Sequence, residues 1–211
     1  MANIEPFEKY PDLYDEWFST NYLTYQSELH AVKDFLPESG VGIEIGMGSG
    51  RFAKPLGINL GVDPSSKMRM IAHSRRIDII DSFAESLPFN DKQFDFVLMV
   101  TTLCFLDDVD MAFKEVYRVL KPHGFFIVGF IDKESLLGHQ YQIRKNENPF
   151  YKLAKFYSVY GVIVYLLEND FYNLHFIQTI FHNLSEIKDV EPVKVGFGEG
   201  SFVVIRAEKN S

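Results

Sequence analysis

The chain has 211 residues, 46% hydrophobic and 24% charged, a composition that gives an ordinary globular protein enough apolar material for one sizeable core. Its formal net charge of −8 excludes the broad basic surface that neutralises nucleic-acid phosphates, so no nucleic-acid partner is expected and a small or neutral substrate is favoured. The one cysteine, Cys104, cannot form an intramolecular disulfide, and Met1 to Asp15 lacks a basic-then-apolar leader, so the expected location is cytoplasmic.

In chain order, Tyr22, Leu23, Tyr25, Leu29, Val32, Phe35 and Leu36 recur mainly at three- and four-residue spacing and predict an amphipathic helix from Asn21 to Leu36, ended by Pro37. Short apolar runs then read as buried strands: Val41 to Gly46, Leu60 to Asp63, Ile77 to Phe83, Phe94 to Leu103 and Phe125 to Ile131. Before the last of these, Met111, Phe113, Val116, Tyr117 and Leu120 repeat helically over Val109 to Leu120. Lys121-Pro122-His123-Gly124 then turns the chain into the strand. Strand, helix and strand in succession mean a parallel sheet. Beyond Gly138 an aromatic-rich segment leads to two more strands, Leu174 to Phe181 and Phe202 to Ala207, expected to pair antiparallel across a loop holding Gly196, Gly198 and Gly200. The apolar run Gly161 to Leu167 is far short of the ~20 residues that cross a bilayer, so no membrane span is expected. No repeat or low-complexity linker marks a second domain.

The strand ending at Ile45 runs straight into Gly46-x-Gly48-x-Gly50, where glycines let the backbone turn tightly and let a ligand lie close to the main chain. The loop alone is equally compatible with a turn built for conformational reasons. A dinucleotide fingerprint needs a third glycine where Arg51 stands, and a phosphate-binding P-loop needs Gly-Lys-Ser/Thr where Gly50-Arg51-Phe52 stands. Both nucleotide readings lose ground. Asp63 closes the next strand, where an acid can accept hydrogen bonds from both hydroxyls of a ribose; it also reads as an N-cap, with Pro64 at the first helical position, for a helix through Lys67 to Ala72.

Glu44 to Gly50, then Asp63, then Ala84-Glu85-x-Leu87-Pro88-Phe89-x-Asp91-x-x-Phe94-Asp95, then Arg118-Val119-Leu120-Lys121-Pro122-x-Gly124 resemble, in order, the type 11 class I methyltransferases, a group that includes the quinone-biosynthesis methyltransferases. The resemblance covers roughly Val41 to Ile131. It implies a three-layer α/β Rossmann-like fold, a doubly wound and mostly parallel seven-stranded sheet of order 3-2-1-4-5-7-6 with strand 7 antiparallel. It further implies the cofactor S-adenosyl-L-methionine, leaving as S-adenosyl-L-homocysteine. One domain is expected, with a helical cap over 1–40, a cofactor core over 41–132, a lid and substrate segment over 133–172, and a terminal strand pair over 173–211. Position by position, Gly46, Gly48 and Gly50 would pack against the methionine part of the cofactor and Glu44 would help hold its amino group. Asp63 would take the ribose hydroxyls, with Pro64 and Met68 near sugar and adenine, and Ala84 and Glu85 at the adenine edge. Many relatives carry an Asp where this chain has Phe83, which leaves main-chain groups or Glu85 for the adenine amine. Thr101 ends the fourth strand as a cofactor contact.

Methyl transfer from a sulfonium is a direct displacement with a neutral leaving group, and alignment alone supplies roughly 7 to 11 kcal/mol in well-oriented intramolecular models. Tyr14, His30 and His139 are the candidate general bases, each also readable as a surface or packing residue. Tyr14, Trp17, Tyr25, Thr102 and Phe105 are the candidate acceptor-pocket residues. Tyr10, Tyr22, Phe150, Tyr151, Phe156 and Tyr157 add aromatics from the two regions that roof the pocket in resembling enzymes. The fourth strand's end lacks both the Asp/Asn-Pro-Pro-aromatic and the Pro-Cys signatures of nucleic-acid methyltransferases, and Cys104 reads as packing rather than as a nucleophile. No histidine pair has metal-ligand spacing, so no metal is expected. A catalytically silent cofactor-binding protein and an NAD-dependent oxidoreductase are the alternatives. The acceptor, the methylated atom and the oligomeric state are not encoded in these motifs.

Overall fold

The computed structural model describes residues 4–210. Three helices open the chain: α1 (Glu5–Lys9), α2 (Pro11–Thr20) and α3 (Tyr22–Phe35), the last within a residue of the helix predicted from periodicity. The core then alternates β1 (Gly42–Ile45), α4 (Ala53–Leu56), β2 (Leu60–Val62), α5 (Ser66–Ser74), β3 (Asp78–Ile80), β4 (Phe94–Val100), α6 (Val109–Val119) and β5 (Leu120–Ile131). Helices α7 (Leu136–Ile143) and α8 (Val159–Glu168) precede β6 (Phe171–Thr179), β7 (Lys194–Val195) and β8 (Phe202–Lys209).

The sheet order is β3-β2-β1-β4-β5-β8-β6-β7, with β1 to β5 parallel and β8 antiparallel to both β5 and β6. This is the expected order and the expected antiparallel strand, plus an eighth strand. That addition, β7, comes from the glycine-bearing loop and pairs only Val195 with Ile177 and Lys194 with Gln178; two residues are too few to leave a periodic trace. Alternation explains why the central strands are apolar throughout. On β4, Val97 and Met99 join one buried cluster and Phe96, Leu98 and Val100 the other, and β8 divides likewise into Val203 and Ile205 against Phe202 and Val204. Helix α6 covers the first face with Ala112, Phe113 and Val116, and α3 covers the second with Leu29, Ala31 and Val32.

Several boundaries differ from the sequence reading, β6 among them, which runs Phe171–Thr179 and not Leu174 to Phe181. Strand β3 ends at Ile80, not Phe83, because it lies at the sheet edge and its pairing with β2 stops at Val62. Strand β4 ends at Val100: Thr101 has φ 51° and leaves the extended region, and Leu103–Phe105 forms a 3₁₀ turn. Strand β5 takes in Lys121 to Gly124, since Leu120 already pairs with Phe94 before the register shifts around His123, at φ 61°. Asp63 does not cap α5; Ser65 does, its Oγ accepting from Met68 N at 3.2 Å. That frees Asp63 for the glycine loop.

The later motifs are structural clamps. The Arg118 guanidinium on α6 donates to the carbonyls of Leu87 at 3.0 Å and Phe89 at 2.7 Å, and to Asp91 Oδ1 at 2.8 Å, while Glu115 braces it. One side chain thus ties the Leu87–Asp91 connection to the helix that follows β4. Lys121 Nζ similarly bridges both Asp95 oxygens at 2.9 Å, and Asp95 Oδ2 accepts from Val41 N at 2.8 Å. Arg118→Ala is expected to lower stability by about 2 kcal/mol, the scale of hydrogen bonds from a charged donor. Arg118→Lys should recover less than half, because an ammonium cannot span the fork. Urea denaturation checks both, and full recovery by lysine would contradict the geometry.

Candidate active site

The crevice lies at the carboxyl ends of β1, β2 and β4, where an open parallel sheet leaves room between diverging loops. Gly46 (φ 65°) and Gly48 (φ 57°) both take the left-handed conformation that glycine adopts without penalty. A Cβ on Gly46 would lie 2.1 Å from Thr102 Cγ2, and one on Gly48 would lie 3.1 Å from Tyr14 Oη. The loop is anchored by Asp63, whose Oδ2 accepts from Gly48 N and Oδ1 from Ser65 N, each at 2.8 Å. Burial outweighs those N–H donors and pushes the Asp63 carboxyl up to about 6. Beneath the loop Glu44 is buried, and its Oε2 has no hydrogen-bond partner among the described residues. Burial raises its carboxyl well above the ordinary range against the Ala53 N–H, and neighbouring Asp63 adds to the rise. A buried acid with an unspent oxygen and a second with spare lone pairs suit a ligand bearing an amino group and vicinal hydroxyls.

Two cavities meet here. The smaller, about 70 Å³, is bordered by Gly46, Gly48, Asp63, Pro64, Ala84 and Glu85, with Ser82 and Phe83 beside them. The larger, about 370 Å³, is walled chiefly by aromatic side chains from α2 and from the segment between α7 and α8. Phe7, Tyr14, Thr101 and Phe105 border both. Thr101 is a β-branched residue at positive φ, a costly conformation here secured by its N–H donating to Gly129 O at 2.8 Å. The strain lies where the cavities join.

The structure sorts the sequence candidates. Trp17 lines the large cavity together with Phe150, Tyr151, Phe156 and Tyr157, and Thr102 lines the small one while donating to Gly46 O at 3.0 Å. Tyr25 does not line either: it packs behind Phe18 and against Phe52, its hydroxyl donating to Arg51 O. Met68 is fully buried on α5, and Gly50 makes room for Ile77, whose Cδ1 would be 2.4 Å from an added Cβ, so both serve packing here. Glu85 borders the small cavity, but its Oε1 accepts from the N–H groups of Asp107 and Asp108. His30 and His139 are exposed and border neither cavity. Tyr10 and Tyr22 are also exposed. Tyr14 is in place but keeps its proton, because burial and then the Asp63 and Glu44 carboxyls push its phenol far upward. Burial likewise pushes the Cys104 thiol up to about 12, consistent with packing and not with a nucleophile.

Several participants went unread in the sequence. Asp15 on α2 holds Arg51, Arg75 and Ser49 together at the glycine loop. Glu8 on α1 accepts from Ser65 Oγ at 2.8 Å and Ser66 Oγ at 3.1 Å, fastening α1 to the start of α5. The available signal for the first was Arg51 itself, a cation beside a ligand loop that needs a counter-charge. Glu28 on α3 lines the large cavity, and its signal was an acid in helical phase with buried Thr24 and Ala31. Among the described residues no three metal-ligating side chains cluster, and no helix is long and apolar enough to cross a membrane.

A doubly wound sheet whose first loop and second-strand acid frame a ligand crevice defines a Rossmann-like nucleotide-cofactor enzyme. Within that class, the family model described as a methyltransferase domain, type 11, matches residues 43–128. An uncharacterised protein of Methanocaldococcus jannaschii is 46% identical over 203 residues, covering 96% of this chain and 98% of its own. A Thermotoga maritima protein of known crystal structure, described as a SAM-dependent methyltransferase, possible histamine N-methyltransferase, is 47% identical with a TM-score of 0.94, covering 97% of this chain and 98% of its own. The ubiquinone/menaquinone biosynthesis C-methyltransferase of Rickettsia prowazekii is 34% identical over 100 residues, covering 42% of this chain and 40% of its own. The chain belongs to the type 11 class I S-adenosylmethionine-dependent methyltransferases and is an enzyme that uses that cofactor. The oxidoreductase and silent-binder alternatives are set aside.

Proposed function

We propose that the protein transfers a methyl group from S-adenosyl-L-methionine to a small organic acceptor bound in the aromatic cavity. The observation that carries this reading is the shared wall of Phe7, Tyr14, Thr101 and Phe105, which brings the glycine-loop crevice and a largely apolar cavity to one junction. The cofactor supplies a methyl on a sulfonium. In this reading Glu44 takes its amino group, Asp63 the ribose hydroxyls, Gly46 and Gly48 admit the methionine part, and Pro64, Ala84, Glu85 and Thr101 border the remainder. Phe83, which borders the small cavity, stands beside the adenine region in place of the carboxylate that the resemblance leads one to expect. A small organic amine, such as the histamine in the Thermotoga maritima protein's description, is within the size of the large cavity. Helices α1 and α2, held by Glu8 and Asp15, form a cap that excludes water, and the segment after β5 completes the acceptor's enclosure. A cytoplasmic site of action belongs to this reading, supported by the lone cysteine.

Calorimetric titration with S-adenosylhomocysteine tests the cofactor half. Asp63→Ala should weaken binding by about 1 to 3 kcal/mol, since a charged acceptor is lost. Affinity of the unaltered protein should also fall as pH drops through about 6, where Asp63 takes up a proton and can no longer accept from both hydroxyls. A pH-independent affinity in a folded protein, with Asp63→Ala unchanged, would contradict the assignment. Transfer of labelled methyl to a panel of small amines, phenols and thiols tests the acceptor half, and labelling of a macromolecule alone would redirect it.

A further inference from the structure

Glu28 is 4% exposed and lines the large cavity from α3, yet no donor among the described residues pairs with it. Its neighbours on the helix spend their polar groups elsewhere: Ser27 Oγ donates to Leu23 O and accepts from Glu191 N, each at 2.8 Å. The titratable groups that face Glu28 are phenols, Tyr14 from α2, Tyr141 from α7 and Tyr151 from the loop after it. The one other charged residue lining the cavity is Glu16, which is exposed, and no lysine, arginine or histidine is among the lining residues. An unpaired buried carboxyl is expensive, costing several kcal/mol when ionised, and burial accordingly pushes Glu28 up to about 8. A glutamine or leucine would fill the same space without that cost. More than half of the lining residues are aromatic, and aromatic ring faces attract cations and repel anions.

We propose that Glu28 is the counter-ion of the acceptor site and selects an organic ammonium with an apolar or aromatic body. The proposal rests on the large cavity being the acceptor site. The cation supplies the partner that the protein lacks, the carboxylate pairs with it out of water beside the stacked Tyr141 and Tyr151, and the other rings take the apolar body. A neutral acceptor of the same shape forgoes the charge-assisted contact, and an anion meets an acid in an aromatic box.

Trp17 is the only tryptophan and lines the cavity, so its fluorescence reports entry without cofactor or turnover. The 211-residue protein is titrated with 2-phenylethylamine and with its neutral isostere 2-phenylethanol at pH 7. The amine should bind at least about tenfold more tightly, the scale of one charge-assisted hydrogen bond. Glu28→Gln should bring the two affinities together, while its melting temperature stays equal to that of the unaltered protein or rises as the buried acid is removed. Equal binding of the two probes by the unaltered protein, a Trp17 signal silent to the amine at millimolar concentration, or a preference that survives in Glu28→Gln would each overturn the proposal. The first two outcomes need no variant. Failure of the methyltransfer reading would show separately, as labelled methyl appearing on no small molecule while the amine preference persists.

Discussion

Asp15→Ala should lose about 3 kcal/mol of folding stability, the low end of the ~3–5 kcal/mol expected when one partner of a buried ion pair is removed. The low end applies because the Asp15, Arg51 and Arg75 side chains are 20%, 26% and 24% exposed. The Asp15 carboxylate accepts from Arg51 Nε at 2.9 Å and Ser49 Oγ at 2.7 Å on one oxygen. On the other it accepts from Arg51 Nη2 and Arg75 Nη2 at 2.6 Å each. Without it two guanidinium groups face each other with no counter-charge, and α2 loses its tie to the cofactor loop. Burial opposes the charge on Asp15, but the hydrogen bonds from Arg51, Arg75 and Ser49 prevail and hold the carboxyl well below the usual range. A depressed folded-state pKa contributes stability that is fully present above the unfolded value of about 3.9 and is lost as pH falls through the lower folded value. Urea midpoints of Asp15→Ala and the unaltered protein should therefore stay apart by a constant amount from pH 7 to about 5 and converge below about pH 4. A gap that persists undiminished at pH 2 would mean that packing, and not charge, does the stabilising.

Gly46→Ala should be comparably damaging for a different reason. At φ 65° an alanine carries the ~1–2 kcal/mol penalty of the left-handed conformation, and its Cβ would sit 2.1 Å from Thr102 Cγ2 and 2.4 Å from Thr102 Oγ1. Relieving that overlap moves a residue that donates to Gly46 O and borders the small cavity, an overpacking cost of about 1–3 kcal/mol. Together the variant should lose about 2–5 kcal/mol, with S-adenosylhomocysteine binding reduced in whatever fraction remains folded. The double variant Gly46→Ala/Thr102→Ala separates the causes. It removes the two closest overlaps but leaves Thr102 Cβ 2.8 Å away and keeps the backbone strain, so part of the loss should return, as a coupling of about 1 kcal/mol between the two positions. Additive losses would show that Thr102 does not limit the space at Gly46.

Much of the fold was legible because the physics that writes it is local and periodic. Val97 and Met99 face one buried cluster while Leu98 and Val100 face the other, and Phe126 and Val128 alternate with Ile127 in the same way, so their strands read as continuous apolar runs, and α6 showed its buried stripe at helical spacing. Where a boundary depended on a neighbour, sequence reading slipped. Strand β3 stops because its partner stops, and β5 starts early because Phe94 is there to pair with Leu120. Ser65 displaced Asp63 as the cap because Asp63 was already committed to Gly48 N, fifteen residues back.

The glycine loop, the acid that follows β2 and the ordered methyltransferase motifs are legible in the residues alone, because each is a contiguous stretch whose backbone geometry dictates its residues. Packing between distant elements is what puts Arg51, which locally argues against a dinucleotide, into an ion network with Asp15 and Arg75. It also decided that Tyr25 stands behind the acceptor cavity while Glu28, three residues on, faces into it. Those outcomes depend on which helix face meets which loop across 26 to 60 residues of chain, and no spacing within a single segment carries that information.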